Sequence, residues 1–111
     1  MSLPTLSMKG KVAVVTGAGG VKGIGRSIAL TFAEAGADVA ICDLYTKGKS
    51  YDLEGVVQEI KHLGRRAIGI QADISKEDQV NDFINQVVKE FGTLDIMVNN
   101  AGVSVHEQSS K

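Results

Sequence analysis

Cysteine is nearly absent. The one present, Cys42, cannot form an intrachain disulfide, and no zinc site can be built from cysteine pairs. That usage fits a reducing compartment, so a cytoplasmic location is the expectation. Proline is equally scarce, with one residue against thirteen glycines. The balance excludes Pro-rich linkers and points to tight turns between strands and helices. Neither sign of charge dominates: 12 Lys and Arg face 13 Asp and Glu, for a net charge of -1. A nucleic-acid backbone finds no basic surface to recruit it, and no such partner is expected. No apolar run approaches the roughly 20 residues of a membrane-crossing helix, and the N-terminus lacks the pattern of a signal peptide. No membrane partner is expected either. Residues 1–10 read as an N-terminal extension. Met8 is the expected natural start, and the patternless Met1-Ser2-Leu3 reads as foreign to the chain.

What is present belongs to one folded domain. The 111 residues are 43% hydrophobic and 23% charged, ordinary globular usage that argues against disorder. Lys11 to Thr16 is a β-branched apolar run, read as a strand buried on both faces. Ile24 to Ala35 carries Ile24, Ile28, Ala29, Phe32 and Ala33 at helical spacing, and Gly36 ends it. Asp38 to Cys42 is a second strand, followed by a polar loop from Asp43 to Ser50. Tyr51 to Leu63 reads as a helix with Val56, Val57, Ile60 and Leu63 inward and Gly64 at its end. Ala67 to Ala72 is a third strand. Ser75, with Asp78 three residues on, predicts a capping box for a helix to Phe91. Its core stripe is Val80, Phe83, Ile84, Val87, Val88 and Phe91, and Gly92 ends it. Leu94 to Asn99 is a fourth strand. The order βαβαβαβ implies a parallel sheet joined by right-handed crossovers. The helical stripes are sheet-facing core.

The first strand runs into Thr16-Gly17-Ala18-Gly19-Gly20-Val21-Lys22-Gly23-Ile24-Gly25. Glycines in such a turn allow a tight bend, close backbone approach to a pyrophosphate, and close packing of helix on strand. The helix start then offers unpaired N–H groups and partial positive charge to phosphates. A plain βα turn is the competing reading of the glycines alone. Their place, after the first strand and at the start of the first helix, favours the dinucleotide fingerprint. A Walker loop is excluded because no Gly-Lys-Ser/Thr follows. Asp43 ends the second strand 26 residues beyond Gly17, where an acidic side chain can accept hydrogen bonds from an adenosine ribose. Its charge would repel the 2′-phosphate of NADP, whereas Lys22 in the turn would attract one. NAD is the expected cofactor, with NADP as the alternative.

After the fourth strand stands Asn99-Asn100-Ala101-Gly102. With the glycine turn and the strand-ending Asp43, this order of motifs resembles the short-chain dehydrogenase/reductase family. Gly36-Ala37-Asp38-Val39-Ala40 and Ala72-Asp73-Ile74-Ser75 are similar to its spacing too. The resemblance runs from about Lys9 to Gly102. It implies a Rossmann-type, doubly wound α/β sheet, incomplete at four strands in the order 3-2-1-4, over residues 11–102. A polar tail occupies 103–111.

The resemblance further implies that Gly17, Gly23 and Gly25 shape a pyrophosphate site, with Ile24 giving a backbone contact. Asp43 would hold the ribose, and Asp73 and Ile74 would flank the adenine. Asn99 would brace the sheet, while Asn100, Ala101 and Gly102 line the cofactor cleft. There is one departure. Five residues, Ala18 to Lys22, separate Gly17 from Gly23, two more than the family's Thr-Gly-x-x-x-Gly-x-Gly. Whether Gly19 or Gly20 approaches the cofactor stays open.

The function implied is hydride transfer between a nicotinamide cofactor and an alcohol or ketone. The family's chemistry uses a tyrosine, a lysine four residues later, an upstream serine and a helix asparagine. A tyrosine of ordinary pKa, about 10, needs such help near neutrality. All four are expected beyond Lys111, so no catalytic residue is assigned and this chain alone is expected to be inactive. Tyr45 and Lys49 have the right separation but sit in the loop at the adenosine end. His62 and His106 read as surface residues, and Cys42 as a small buried hydrophobe. With the fourth strand as an open edge, self-association into a homo-oligomer is expected. A truncated nucleotide-binding module without catalysis is the alternative function. A methyltransferase of similar fold is disfavoured by Asn-Asn-Ala-Gly.

Overall fold

A computed structural model describes residues 7–100. It contains β1 (Val12–Thr16), α1 (Ile24–Glu34), β2 (Asp38–Asp43), α2 (Leu53–His62), β3 (Ala67–Gln71), α3 (Glu77–Phe91) and β4 (Ile96–Val98). The strands form one parallel sheet in the order β3-β2-β1-β4. This is the Rossmann-type arrangement anticipated from the alternation of strands and helices.

The pleat of β1 explains the layering. Ala13 and Val15 face one way, packing with Ala29 and Ala33 of α1 and Val56, Val57 and Ile60 of α2. Val12 and Val14 face the other way, toward Phe83 and Val87 of α3. Every residue of β1 is buried, which is why the strand is a continuous apolar run rather than an alternating one. Cys42 belongs to the α3 side, fully buried. Burial pushes its thiol pKa up to about 12, opposed by the Gly17 backbone and reinforced by Asp43. The thiol is therefore protonated and shielded at neutral pH. A disulfide reagent at pH 8 should leave Cys42 unmodified in the folded protein and modify it promptly after unfolding in urea. Rapid modification of the native state would contradict this packing.

Several helix details depart from the sequence reading. The second helix starts at Leu53, not Tyr51, because Asp52 is its N-cap: its Oδ1 accepts the Gly55 N–H at 3.0 Å. Leu63 is the C-cap and is 43% exposed rather than inward. Ser75 does not cap α3. Its hydroxyl and its N–H both donate to Asp73 Oδ1, at 2.6 and 3.0 Å, and Lys76 is the N-cap, with no side-chain cap bond. The short polar side chain has formed a local turn in place of the predicted capping box. Within the α3 stripe only Phe83 and Val87 are buried, and Val88 is exposed. Among the described residues α3 is the only helix on its face of the sheet, so only a narrow strip of it meets the strands. Ile24 also departs from the predicted inward stripe, at 71% exposed. It sits in the first turn of α1, where its neighbour Gly25 and not Ile24 is the residue that packs against the glycine turn. The fourth strand is shorter than predicted. Asp95, taken for strand, instead hooks it onto β1: its carboxylate accepts the Val12 N–H at 2.8 Å, and its N–H donates to Val12 O at 2.9 Å.

Candidate functional site

The strand ends meet at the glycine turn. Gly17 leaves β1 with φ +66°, a conformation that favours glycine. The next N–H, of Ala18, donates to Cys42 O at 3.1 Å, so the turn stays tied to β2. Gly23 is the N-cap of α1 and brings no side-chain cap; no acidic residue lies in the first turn. The helix start is thus left with its partial positive charge uncompensated by side chains. Gly25 lets α1 come close. A Cβ there would lie 2.4 Å from Gly17 O and 2.8 Å from Asn100 Nδ2.

The β4 side supplies two asparagines. The Thr16 hydroxyl lies 3.1 Å from Asn99 Oδ1, joining β1 to the end of β4. Asn100 Nδ2 donates to Gly17 O at 3.1 Å. Asn99 thus braces adjacent strands as the resemblance implied, while Asn100 grips the glycine turn itself. Ala101 and Gly102 lie outside the described residues.

Asp43 ends β2 at half-exposure. Its Oδ2 accepts the Gly19 N–H at 2.8 Å, and Oδ1 lies 3.4 Å from the Tyr45 N–H. Beside it opens a cleft of about 160 Å³, walled by Gly17, Cys42, Asp43, Leu44, Ala72, Asp73, Ile74 and Ser75. The predicted Asp43, Asp73 and Ile74 therefore come together with Gly17. The Asp73 carboxyl is held below the usual carboxylate range, first by the Ser75 hydroxyl, then by the Ser75 N–H and by Lys76. Lys22 is exposed and does not line this cleft.

The expanded turn separates the roles of Gly19 and Gly20. Gly19 is buried against Asp43 and the loop after β2. Gly20 forms an antiparallel bridge with Tyr51, and its carbonyl accepts the Gly23 N–H at 3.1 Å. Tyr45 and Lys49 are exposed in that loop, Tyr45 with its ring 5.2 Å from that of Tyr51. Leu44 and Ser75 were not predicted as site residues, Ser75 being read only as a helix cap, although each borders a predicted residue. Leu44, 45% exposed, directly follows Asp43 at the end of β2 and borders the cleft.

A glycine turn, an uncapped helix start and an acidic strand end thus meet around a small cleft at the carboxyl edge of a parallel sheet, the edge at which open α/β folds hold their ligands. The family profile described as short chain dehydrogenase matches residues 11–111. The chain belongs to that family. It is 45% identical to a cyclohexanol dehydrogenase of Rhodococcus sp., covering 90% of this chain and 39% of that protein. It is 48% identical to a 3-oxoacyl-(acyl-carrier-protein) reductase of Staphylococcus epidermidis, covering 85% of this chain and 36% of the relative. Among solved structures, a hydroxysteroid dehydrogenase from Escherichia coli superposes with a TM-score of 0.78 at 40% identity, over 88% of this chain and 38% of that one. An NAD+-bound xylitol dehydrogenase gives 0.72 at 33% identity, over 81% and 32%. The chain therefore spans only 32% to 39% of the length of these relatives. Among the described residues, no helix is long and apolar enough to cross a membrane.

Proposed function

We propose that the cleft beside Asp43 binds the adenosine end of a nicotinamide dinucleotide, NAD in preference to NADP. The chain is then the cofactor-binding portion of an oxidoreductase acting on an alcohol or ketone. One observation carries the reading: the Asp43 carboxylate stands at the mouth of the cleft, anchored through Oδ2 by the Gly19 N–H. It retains lone pairs for ribose hydroxyls. Leu44 and Ile74 offer apolar walls for a flat base. The start of α1 suits the pyrophosphate, with Gly17, Gly23 and Gly25 keeping side chains out of its way and Ile24 offering backbone. Gly19 and Gly20 shape this site from behind, since their backbones are engaged by Asp43 and the following loop. Asn100 positions the turn through its bond to Gly17 O.

A bound nicotinamide supplies hydride donation or acceptance. The residues of this chain bind and orient it. Membership of a family named for dehydrogenases, together with relatives named as a dehydrogenase and a reductase, supports the alcohol or ketone substrate. Among the described residues β4 is an edge strand of the sheet, which supports self-association, and a reducing cytoplasmic setting fits Cys42.

Titration calorimetry on the intact protein that carries this chain tests the reading. NAD and ADP-ribose should bind with similar affinity, and NADP roughly tenfold or more weakly. Absence of binding by both NAD and ADP-ribose would refute the cofactor assignment. Tighter binding of NADP would refute the preference alone.

A further inference from the structure

The glycine turn is two residues longer than the family pattern, and the structure shows where the extra length goes. It folds onto the segment between β2 and α2. The Val21 N–H donates to Ser50 O at 2.9 Å, and the Asp52 N–H donates to Gly19 O at 2.8 Å. Gly20 and Tyr51 form an antiparallel bridge between these two bonds. The segment is also closed on itself: Lys47 bridges Asp52, and the Leu53 N–H donates to Thr46 O at 3.0 Å. The rings of Tyr45 and Tyr51 meet across it with centroids 5.2 Å apart. Gly19 has no room to move toward it. A Cβ there would stand 3.0 Å from Asp43 Cβ and 3.1 Å from Tyr45 O.

We propose that residues 44–52 form a positioning strap. The strap holds the lengthened glycine turn against Asp43 and so fixes the point at which ribose hydroxyls are accepted. The inference rests on the dinucleotide reading above. The chain of contact is direct. The strap's Asp52 N–H fixes the Gly19 carbonyl, and the Gly19 N–H in turn fixes Asp43 Oδ2. A loop of this length left unordered would have to be ordered when the ligand binds, at a cost in affinity. Ordered beforehand by the turn, it leaves the site preformed.

The experiment combines affinity with proteolysis in the intact protein. Lys47 and Lys49 are exposed on the strap and serve as tryptic reporters. Two perturbations loosen it without touching Asp43: Tyr45→Ala with Tyr51→Ala removes the ring contact, and Val21→Pro removes the N–H that reaches Ser50. Each should speed cleavage after Lys47 and Lys49 and weaken ADP-ribose binding about tenfold. The double Tyr→Phe variant, which keeps both rings, should restore affinity. A purely structural contact would lower the melting temperature without this selective loss and rescue. Faster cleavage with ADP-ribose affinity kept within about twofold would overturn the proposal. So would unchanged cleavage in both variants, or failure of the phenylalanine pair to rescue. If the unaltered protein does not bind ADP-ribose, it is the dinucleotide reading that fails, while the tryptic result still reports whether these contacts hold the strap.

Discussion

Gly25→Ala is expected to destabilise the fold by about 3 kcal/mol, the upper part of the range for overpacking a tight contact, and to weaken ADP-ribose binding. The added carbon would lie 2.4 Å from Gly17 O, 2.9 Å from Gly17 C and 2.8 Å from Asn100 Nδ2. Two of those atoms are backbone and cannot swing aside. Relief requires α1 to move away from the sheet by roughly an ångström, since carbon contacts settle near 3.5 Å or more. That motion strains two things at once. Ala29 and Ala33 of α1 pack against the inner face of β1 and β2, and the Asn100 side chain grips Gly17 O at 3.1 Å. It also carries the α1 start away from the cleft mouth.

Gly20→Ala is the control for the Gly25 variant. Its nearest heavy atoms would be 3.8 Å away, an ordinary contact, and its φ is not in the left-handed region. A change within about 0.5 kcal/mol is expected there. Urea denaturation of the two variants decides the matter. Equal midpoints would mean that α1 does not ride on the glycine turn as closely as the structure has it.

The contrast between the two glycines marks where sequence reading ends. Period and punctuation located every strand and helix, because a buried parallel strand and an amphipathic helix leave different apolar spacings. The place of Gly25 followed from the fingerprint, since close packing of helix on strand is one of the things those glycines permit. The fate of the two extra residues did not. A stretch such as Ala18 to Lys22 can bulge toward solvent, toward the helix or toward a neighbouring loop, and composition does not choose. The choice was made by backbone pairing with residues 50–52, partners some thirty positions away.

Local competition explains the other misses. Ser75 has the residue type and spacing of a cap, yet Asp73 is nearer and accepts both of its hydrogen bonds. Tyr51 reads as helix because it is apolar and adjacent to a helical stripe. Asp52, one place later, outcompetes it by capping with its own carboxylate. Val88 fits the stripe of α3 but faces solvent, because burial depends on what stands opposite a helix and not on its own spacing.

Substitution of Asp43 should separate two tasks that one carboxylate performs. Asp43→Ala removes the acceptor of the Gly19 N–H, a buried donor with its partner at 2.8 Å. An orphaned buried N–H costs about 1–3 kcal/mol, so stability should fall by that order. The same change removes the proposed ribose acceptor. Two hydrogen bonds to a charged group are each worth about 1.5–3 kcal/mol, so NAD affinity should fall roughly a hundredfold or more.

Asp43→Asn then discriminates. The amide oxygen can still receive the Gly19 N–H, so most of the stability should return. The negative charge does not return, and with it goes the repulsion of a 2′-phosphate. The asparagine variant should therefore melt close to the unaltered protein while its preference for NAD over NADP collapses. Calorimetric titration with both dinucleotides, alongside urea melts of the three proteins, gives the answer. Should the asparagine variant keep its full preference for NAD, the charge on Asp43 is not what selects the cofactor. The discrimination would then lie in the shape of the strap and glycine turn around the ribose. Should it lose stability as alanine does, the Gly19 contact depends on charge as well as on geometry, and anchoring and selection cannot be divided between the two oxygens.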